Sequence, residues 1–404
     1  MSHHPEPGAP RAKSDSYRLL FAIQRYFEFG GLQRDMLRIA NACASRGHDV
    51  HVVTGDWDGP PPESLTVHTI GFGGRTNHAR CAGFGQAVGQ FVTQDEFDCV
   101  VGFTRMPNLD VCWCGDPCLA ARFGDDKPSW LRYFPRYRTY LDIEGSVFGP
   151  TSDAELLLLT EGEQQRVTQH YAPPRARMHL LPAGIDRTRF APGPHTDNAR
   201  QAITTELKLD PEATIVLGVG SSFSTKGVDR SITAVAHLPE ELRRGTELII
   251  VGNGKPDSYR KLARKLGIER QVHFTGGRDD VALFYHAADL LLHPARTETA
   301  GHILVESLVC GLPVLVTANC GYAFHIERAG AGQVCPYPFV QDTLDAQLSE
   351  ALDADRLESW RAQARKYRDT ADLYSMVDRA VDVIVSRATS NRHTTSSERQ
   401  RRAS

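Results

Sequence analysis

Two glutamates, Glu298 and Glu306, bracket the stretch ETAGHILVE. A strand ending His293-Pro294-Ala295 precedes it, so residues 297–301 read as a strand-end loop with a helix beginning near Gly301. On that reading the N–H groups of Thr299, Ala300 and Gly301 are free to face a ligand, and a helix N-terminus favours an anion there. Were the whole stretch helical, the carboxylates would stand about 12 Å apart. That is too far for the paired carboxylates of a glycosidase, but it suits two groups gripping the ends of one extended ligand. The competing reading of Glu306 is a solvent-facing helix residue. Its neighbours Ile303, Leu304, Val305, Leu308 and Val309 weaken it, because they make the helix buried nearly all round. Lys226, in GSSFSTKGVDR, stands beside Gly227 just before a helix start, where a cation can neutralise a diphosphate; the alternative is a solvated surface lysine. The P-loop order GxxxxGK[ST] is absent, since glycine follows the lysine. Gly30-Gly31 in QRYFEFGGLQRD falls at a strand-to-helix turn, where glycine lets backbone amides approach an anion; taken alone, the pair reads first as a plain tight turn. The pair does not form GxGxxG, which disfavours a nicotinamide cofactor.

The elements that must position these groups come in two series. Strands are expected at 18–23, 49–54, 66–70, 98–103, 155–159 and 178–182, then again at 213–220, 247–252, 272–276, 289–294 and 313–317. Several are near-continuous apolar runs of the kind buried on both faces of a parallel sheet. Helical patterns fall between them at 32–46, 228–238, 256–266, 280–288 and 301–310, and closing helices are expected at about 341–354 and 358–387. Two βα series of similar length imply an α/β protein of two doubly wound, Rossmann-like domains facing across a deep cleft. The expected boundaries are 17–186 for the first domain and 187–372 for the second. A closing helix at 373–387 is expected to return to the first domain. Residues 1–16 read as a disordered leader without the apolar core of a secretory signal, and 388–404 as a disordered basic tail.

With 404 residues, a net charge of -3 and 41% hydrophobic content, the chain has the composition of a globular protein large enough for two cores. No bulk basicity or RNA-binding motif calls for nucleic acid, and no apolar run approaches the length of a transmembrane helix. Nine cysteines, an odd number, point to reduced thiols in the cytosol. Cys112, Cys114 and Cys118 in CWCGDPC offer at most three metal ligands without paired CxxC spacing; structural thiols are the alternative, and no metal is expected.

These residues resemble a retaining nucleotide-sugar glycosyltransferase of GT-B fold, with Glu298 and Glu306 as the E-x7-E signature, Lys226 as the phosphate-binding lysine and Gly30-Gly31 as the amino-terminal glycine turn. The stretches FGGLQRDMLRIA, SRGHDVHVVT, RTNHAR, VGFTRMPNLDV, KGVDRSI, HFTGGRDDV, ADLLLHPA, CGLPVLVTANCGYA and DLYS make it most similar to the lipopolysaccharide core glucosyltransferase I family of Gram-negative bacteria. The likeness spans about residues 18–387. It implies UDP-glucose as donor, the first heptose of the lipopolysaccharide inner core as acceptor, an α-1,3 linkage and no metal. It also implies that Glu298 bonds donor-sugar hydroxyls and Glu306 the ribose. Lys226, Arg189 and the amides of Ala300 and Gly301 hold the diphosphate. Ser221, Thr299, Arg278 and the loop to Val281 complete the donor site, and Asp35 and Asp110 lie on the acceptor side, Asp110 with a catalytic role. Relatives commonly carry arginine directly before the lysine; here Thr225 stands there. Another sugar or acceptor, or a non-catalytic nucleotide-sugar-binding protein, remains open at this point.

WLRYFPRYRTYL, residues 130–141, sets Arg132, Arg136 and Arg138 among Trp130, Tyr133 and Phe134. Aromatic plus basic is the composition of a segment drawn to anionic lipid, and Pro135 would break it into two short helices; an arginine-rich surface helix is the alternative. With a lipid-linked acceptor, the implied location is peripheral, on the cytoplasmic face of the inner membrane.

Overall fold

The computed structural model describes residues 16–27, 30–123, 127–192 and 198–403. The leader therefore lies outside the described residues except for Ser16. Two all-parallel sheets form from the two apolar strand series. The first contains β1 (Arg18–Ile23), β2 (Asp49–Thr54), β3 (Thr66–Thr69), β4 (Cys99–Gly102), β5 (Val111–Cys114), β6 (Glu155–Leu158) and β7 (Met178–Leu180), in the order β3-β2-β1-β4-β5-β6-β7. The second contains β8 (Thr214–Val219), β9 (Thr246–Val251), β10 (Val272–Gly276), β11 (Leu290–His293), β12 (Val314–Thr317) and β13 (Gly332–Cys335), in the order β10-β9-β8-β11-β12-β13. Each order reverses direction once, between β1 and β4 and between β8 and β11, and at such reversals the loops leaving the strands' carboxyl ends diverge to leave a crevice.

Helices cover both sheets because the central strands, such as β4 and β12, are buried throughout and must be shielded on each face. Two strands lie beyond the sequence expectation. β5 (VCWC) falls inside the cysteine cluster, and β13 (GQVC) begins with polar residues that give no apolar run. Cys112 and Cys114 are buried on β5 and Cys118 packs into the same core beyond it, and burial pushes the Cys118 thiol up to about 12. All nine cysteines are free thiols, and among the described residues no cluster of three or more His, Cys, Asp or Glu side chains is placed to hold a metal.

The chain divides into two compact units. One comprises residues 1–159, 163–181 and 376–404, and the other residues 160–162 and 182–375. The crossing comes a few residues before the expected boundary at 186, because Ile185 N–H already bonds Leu373 O (2.9 Å) in the second unit. The single closing helix expected from 358 is two helices, Ala354–Thr370 and Met376–Ala403, and the latter belongs to the first unit. Met376, Ala380, Val381, Ile384 and Ala388 are fully buried along it. The expectation of a disordered tail from 388 is overturned, since the helix continues to Ala403. Partners far away in sequence hold it. Arg392 Nε bonds Asp98 (2.9 Å), Asn391 bonds Asp110 (2.8 Å), and Tyr17 and Thr389 hydroxyls meet at 2.8 Å. Among the described residues no helix is long and apolar enough to cross a membrane.

Candidate active site

In the second domain, β8 is followed by Gly220, whose φ of +141° admits glycine readily. The chain turns through the short helix Phe223–Lys226 so tightly that a Cβ on Gly220 would lie 2.9 Å from Lys226 Cγ. The next residue, Gly227, packs on the end of β11: a Cβ there would meet Pro294 O at 2.1 Å. The loop leaving β11 is bound to the same turn. Arg296 N–H bonds Thr225 O (2.8 Å), and the Arg296 guanidinium bonds Ser224 O (2.7 Å) and Asp229 (2.6 Å). These contacts bring Lys226 Nζ into a salt bridge with Glu298.

Glu298 is held from its other side too. Gly321 N–H bonds Glu298 O (3.0 Å) and Tyr322 N–H bonds Ala300 O (2.7 Å), which ties the glutamate loop to the loop after β12. Only glycine fits at 321, since a Cβ would stand 1.8 Å from Thr299 O. Helix His302–Val309 then starts behind Gly301 (φ +94°) with no side-chain cap, and Leu304 N–H closes its first turn on Gly301 O (3.0 Å).

Electrostatics follow from this packing. Burial alone would raise the Glu298 pKa, but the close His293 imidazole and the charge of Lys226 outweigh it and bring it down to about 2. His293, 1% exposed with Nε2 3.5 Å from Glu298, has its own pKa lowered, chiefly by burial. The arrangement is a carboxylate ionised throughout the neutral range, a lysine and a neutral imidazole at the carboxyl edge of the sheet, on the two loops that flank the β8–β11 reversal. Such a site can accept hydrogen bonds from hydroxyls through Glu298 and neutralise an anion through Lys226.

The remaining donor-side residues divide. Glu306 is buried on the second turn of its helix and accepts a hydrogen bond from Tyr285 Oη (2.9 Å), so it is not the solvent-facing residue of the competing reading. Arg189 lies on helix Arg187–Phe190, capped by Asp186, and Phe190 packs edge-on against Tyr285 (5.9 Å). Ser221 Oγ accepts from Asn253 N–H (3.2 Å), and Asn253 Oδ1 accepts from Gly277 N–H (2.7 Å), which links the loops after β8, β9 and β10. Arg278 is engaged by Asp280 (2.8 Å) and Glu206 (2.8 Å), and Val281 opens helix Val281–Ala287 behind it. His293, Tyr285 and Gly321 are the residues that sequence reasoning missed. The one signal was His293 at the end of an otherwise apolar strand.

In the first domain Gly30 caps helix Gly31–Ser45 at an ordinary φ of -90°. A Cβ there would lie 1.8 Å from Gln33 Oε1, the movable end of a side chain, so neither backbone nor rigid packing demands glycine at this position. Gly31 meets nothing nearby. Asp35 is buried on this helix, with Oδ1 3.9 Å from Arg38. Asp110 requires correction. It precedes β5 and therefore sits at the amino edge of the sheet, away from the edge where ligands bind. Its carboxylate accepts from Val100 N–H (2.8 Å) and Asn391 (2.8 Å), with Arg387 3.5 Å away. It is a fastener for the closing helix, not an acceptor-side or catalytic group.

The aromatic-basic stretch forms the 3-10 turn Ser129–Tyr133 and then helix Pro135–Phe148, with proline at its first position. Trp130, Tyr133 and Phe134 are 58%, 79% and 51% exposed. Arg132 lies over the Phe123 ring (5.5 Å) and Arg136 over Tyr137 (5.7 Å).

Two Rossmann-like α/β domains with the E-x7-E loop against a strand-end lysine define a GT-B glycosyltransferase. The profile of Glycosyltransferase Family 4 matches residues 29–189, and that of Glycosyl transferases group 1 matches residues 199–367. The chain is 41% identical over 367 residues to lipopolysaccharide glucosyltransferase WaaG of Escherichia coli (strain K12), across 90% of this chain and 97% of that one. It belongs to that lipopolysaccharide glucosyltransferase family. The crystal structure of WaaG, a glycosyltransferase involved in lipopolysaccharide biosynthesis, matches with a TM-score of 0.84 over 91% of this chain and 99% of that one. HepE of Anabaena, solved with UDP and glucose, shares the fold at 17% identity and a TM-score of 0.69, over 92% and 100% of the two chains.

Proposed function

We propose that this chain moves glucose from UDP-glucose to the first heptose of the lipopolysaccharide inner core, with retention of configuration. The observation that carries the reading is the Lys226–Glu298 pair beside an uncapped helix start, in a chain that aligns with nearly the whole length of the E. coli enzyme. Donor binding replaces the pair's mutual contact. Sugar hydroxyls donate to Glu298, while the diphosphate takes up the charge of Lys226 and the amides at Ala300 and Gly301. As the bond to the sugar breaks, charge grows on the departing β-phosphate, and groups already aimed there lower the barrier. Arg189 adds a further cation, and Glu306, oriented by Tyr285, serves the ribose. The protein supplies this positive charge itself, so the reaction runs without a metal. The exposed Trp130, Tyr133 and Phe134 with their arginines dock the protein peripherally on an anionic, cytoplasmic membrane surface, where a lipid-linked acceptor resides.

The test is UDP release from UDP-glucose, with and without heptose-terminated core lipopolysaccharide, in the presence of a chelator. Acceptor-dependent release that is lost in Glu298→Ala and Lys226→Ala supports the reading. Release that ignores the acceptor, or persists in both variants, refutes it.

A further inference from the structure

A polar cavity of about 420 Å³ opens in the first domain at the carboxyl edge of its sheet. The volume lies within the range of small-ligand sites, about 300–1,000 Å³. Three successive strand ends and one helix build it. Gln24 and Arg25 follow β1, Gly55 and Asp56 follow β2, Phe72 follows β3, and Asn77, Arg80 and Cys81 come from the first turns of helix Asn77–Gln94. The glycines of GFGGRTNHAR make the close approach possible. A Cβ on Gly55 would lie 2.1 Å from the Phe72 ring, and one on Gly74 (φ +137°) would lie 2.4 Å from Arg80 N. The loop after β3 therefore lies directly on the helix start and fixes Arg80 at the cavity.

The charges in this cavity do not cancel. Arg25 pairs with Asp56 at 3.1 Å. Arg80 lies over the Phe72 ring, 5.2 Å from its centroid, and its guanidinium has no hydrogen-bond partner among the described residues. Two guanidiniums thus face one carboxylate, and the side-chain amides of Gln24 and Asn77 add neutral donors and acceptors. A guanidinium held over a ring without a hydrogen-bond partner keeps its N–H fork available to take a carboxylate or phosphate bidentately. Gln24, Asn77 and the Phe72 ring suit the hydroxyls and apolar face of a sugar.

We propose that this cavity binds an anionic group, a carboxylate or a phosphate, on the saccharide acceptor, with Arg80 as its main contact and Arg25 as its second. The proposal rests on the glycosyltransferase reading, because it makes the cavity an acceptor subsite. Arg80 and Arg25 are positioning residues: they set where the acceptor lies and touch neither donor nor reacting atoms.

Calorimetry with glucose 6-phosphate, glucuronate and glucose tests this, using full-length protein saturated with UDP so that the donor site is filled. Both anionic probes bind and glucose does not. Arg80→Ala weakens the anionic probes about tenfold, and Arg80→Lys retains part of the affinity. The stronger of the two anionic probes identifies the group. Equal binding of all three probes, or an anion preference unchanged in Arg80→Ala, overturns the proposal. In the transfer assay Arg80→Ala raises the acceptor KM with kcat held; a kcat loss at constant KM also overturns it. UDP binding by the unaltered protein is read separately. Its absence would sink the glycosyltransferase reading, while the probe series, run without UDP in Lys226→Ala, still reports on the cavity.

Discussion

Lys226 and Glu298 are paired with each other in the structure. Lys226→Ala is expected to lower kcat about 10²–10³-fold, the loss typical of removing one group aimed at developing charge. Single-turnover UDP release measures it. Glu298 also couples the site to pH. Its folded pKa of about 2 lies below its ordinary value of 4.5, so its contribution to stability is fully present above pH 4.5 and fades as pH falls towards 2. Glu298→Gln should therefore be less stable than the unaltered protein at pH 7, by up to about 3 kcal/mol. The gap should close in acid; denaturant titrations at pH 7 and pH 3 read it. Asp110 gives the contrasting case. Asp110→Ala is expected to cost about 1–3 kcal/mol of stability, the range for stranding buried donors. Its kcat should stay within a factor of two or so of normal, and a much larger fall would restore the acceptor-side role that the structure removes.

At the scale of elements, the active-site loops are placed by backbone approaches that only glycine permits. Gly321→Ala forces the loop after β12 away from Thr299 and takes the Glu298 loop with it. UDP-glucose affinity should fall about tenfold or more while far-ultraviolet dichroism stays unchanged; unchanged affinity would show that the two loops move independently. The 3-10 turn Ser129–Tyr133 and the residue after it expose three aromatic rings, Trp130, Tyr133 and Phe134. Replacing all three with serine should abolish sedimentation with anionic vesicles and leave transfer to a detergent-soluble acceptor intact. Retained vesicle binding would assign the rings to some other role.

For the whole molecule, the telling element is the last helix, which leaves the second unit at residue 376 and completes the first. Truncation after Ser375 removes Ala380, Val381, Ile384 and Ala388 from the first domain's core and unpairs Arg46 from Asp378 and Asp382. Hydrogen exchange should show β1 and β4 losing protection while β8, β9 and β11 keep theirs. Equal loss in both sheets would mean that the helix stabilises the chain as one cooperative unit.

The amino-acid sequence by itself determined the two βα series, because buried parallel strands need apolar runs and the chemistry-bearing loops follow them at short range. The strand boundaries of β1, β2 and β10, the loop position of Glu298 and the burial around Glu306 were all legible in this way. Short strands carrying cysteine or polar residues, β5 and β13, were not, since four residues give too little periodicity. What tertiary structure alone decided depends on partners distant in the chain. Asp110 looked chemical by type and neighbourhood until Asn391 and Arg387 claimed its carboxylate at the wrong edge of the sheet. The basic tail looked disordered by composition until Asp98 and Asp110 paired with it. His293 became part of the site only when the loop after β11 folded back to place Glu298 beside it. Local sequence specifies which backbone conformation is cheap, whereas the pairing of a charge is fixed by whatever the fold brings within a few ångströms of it.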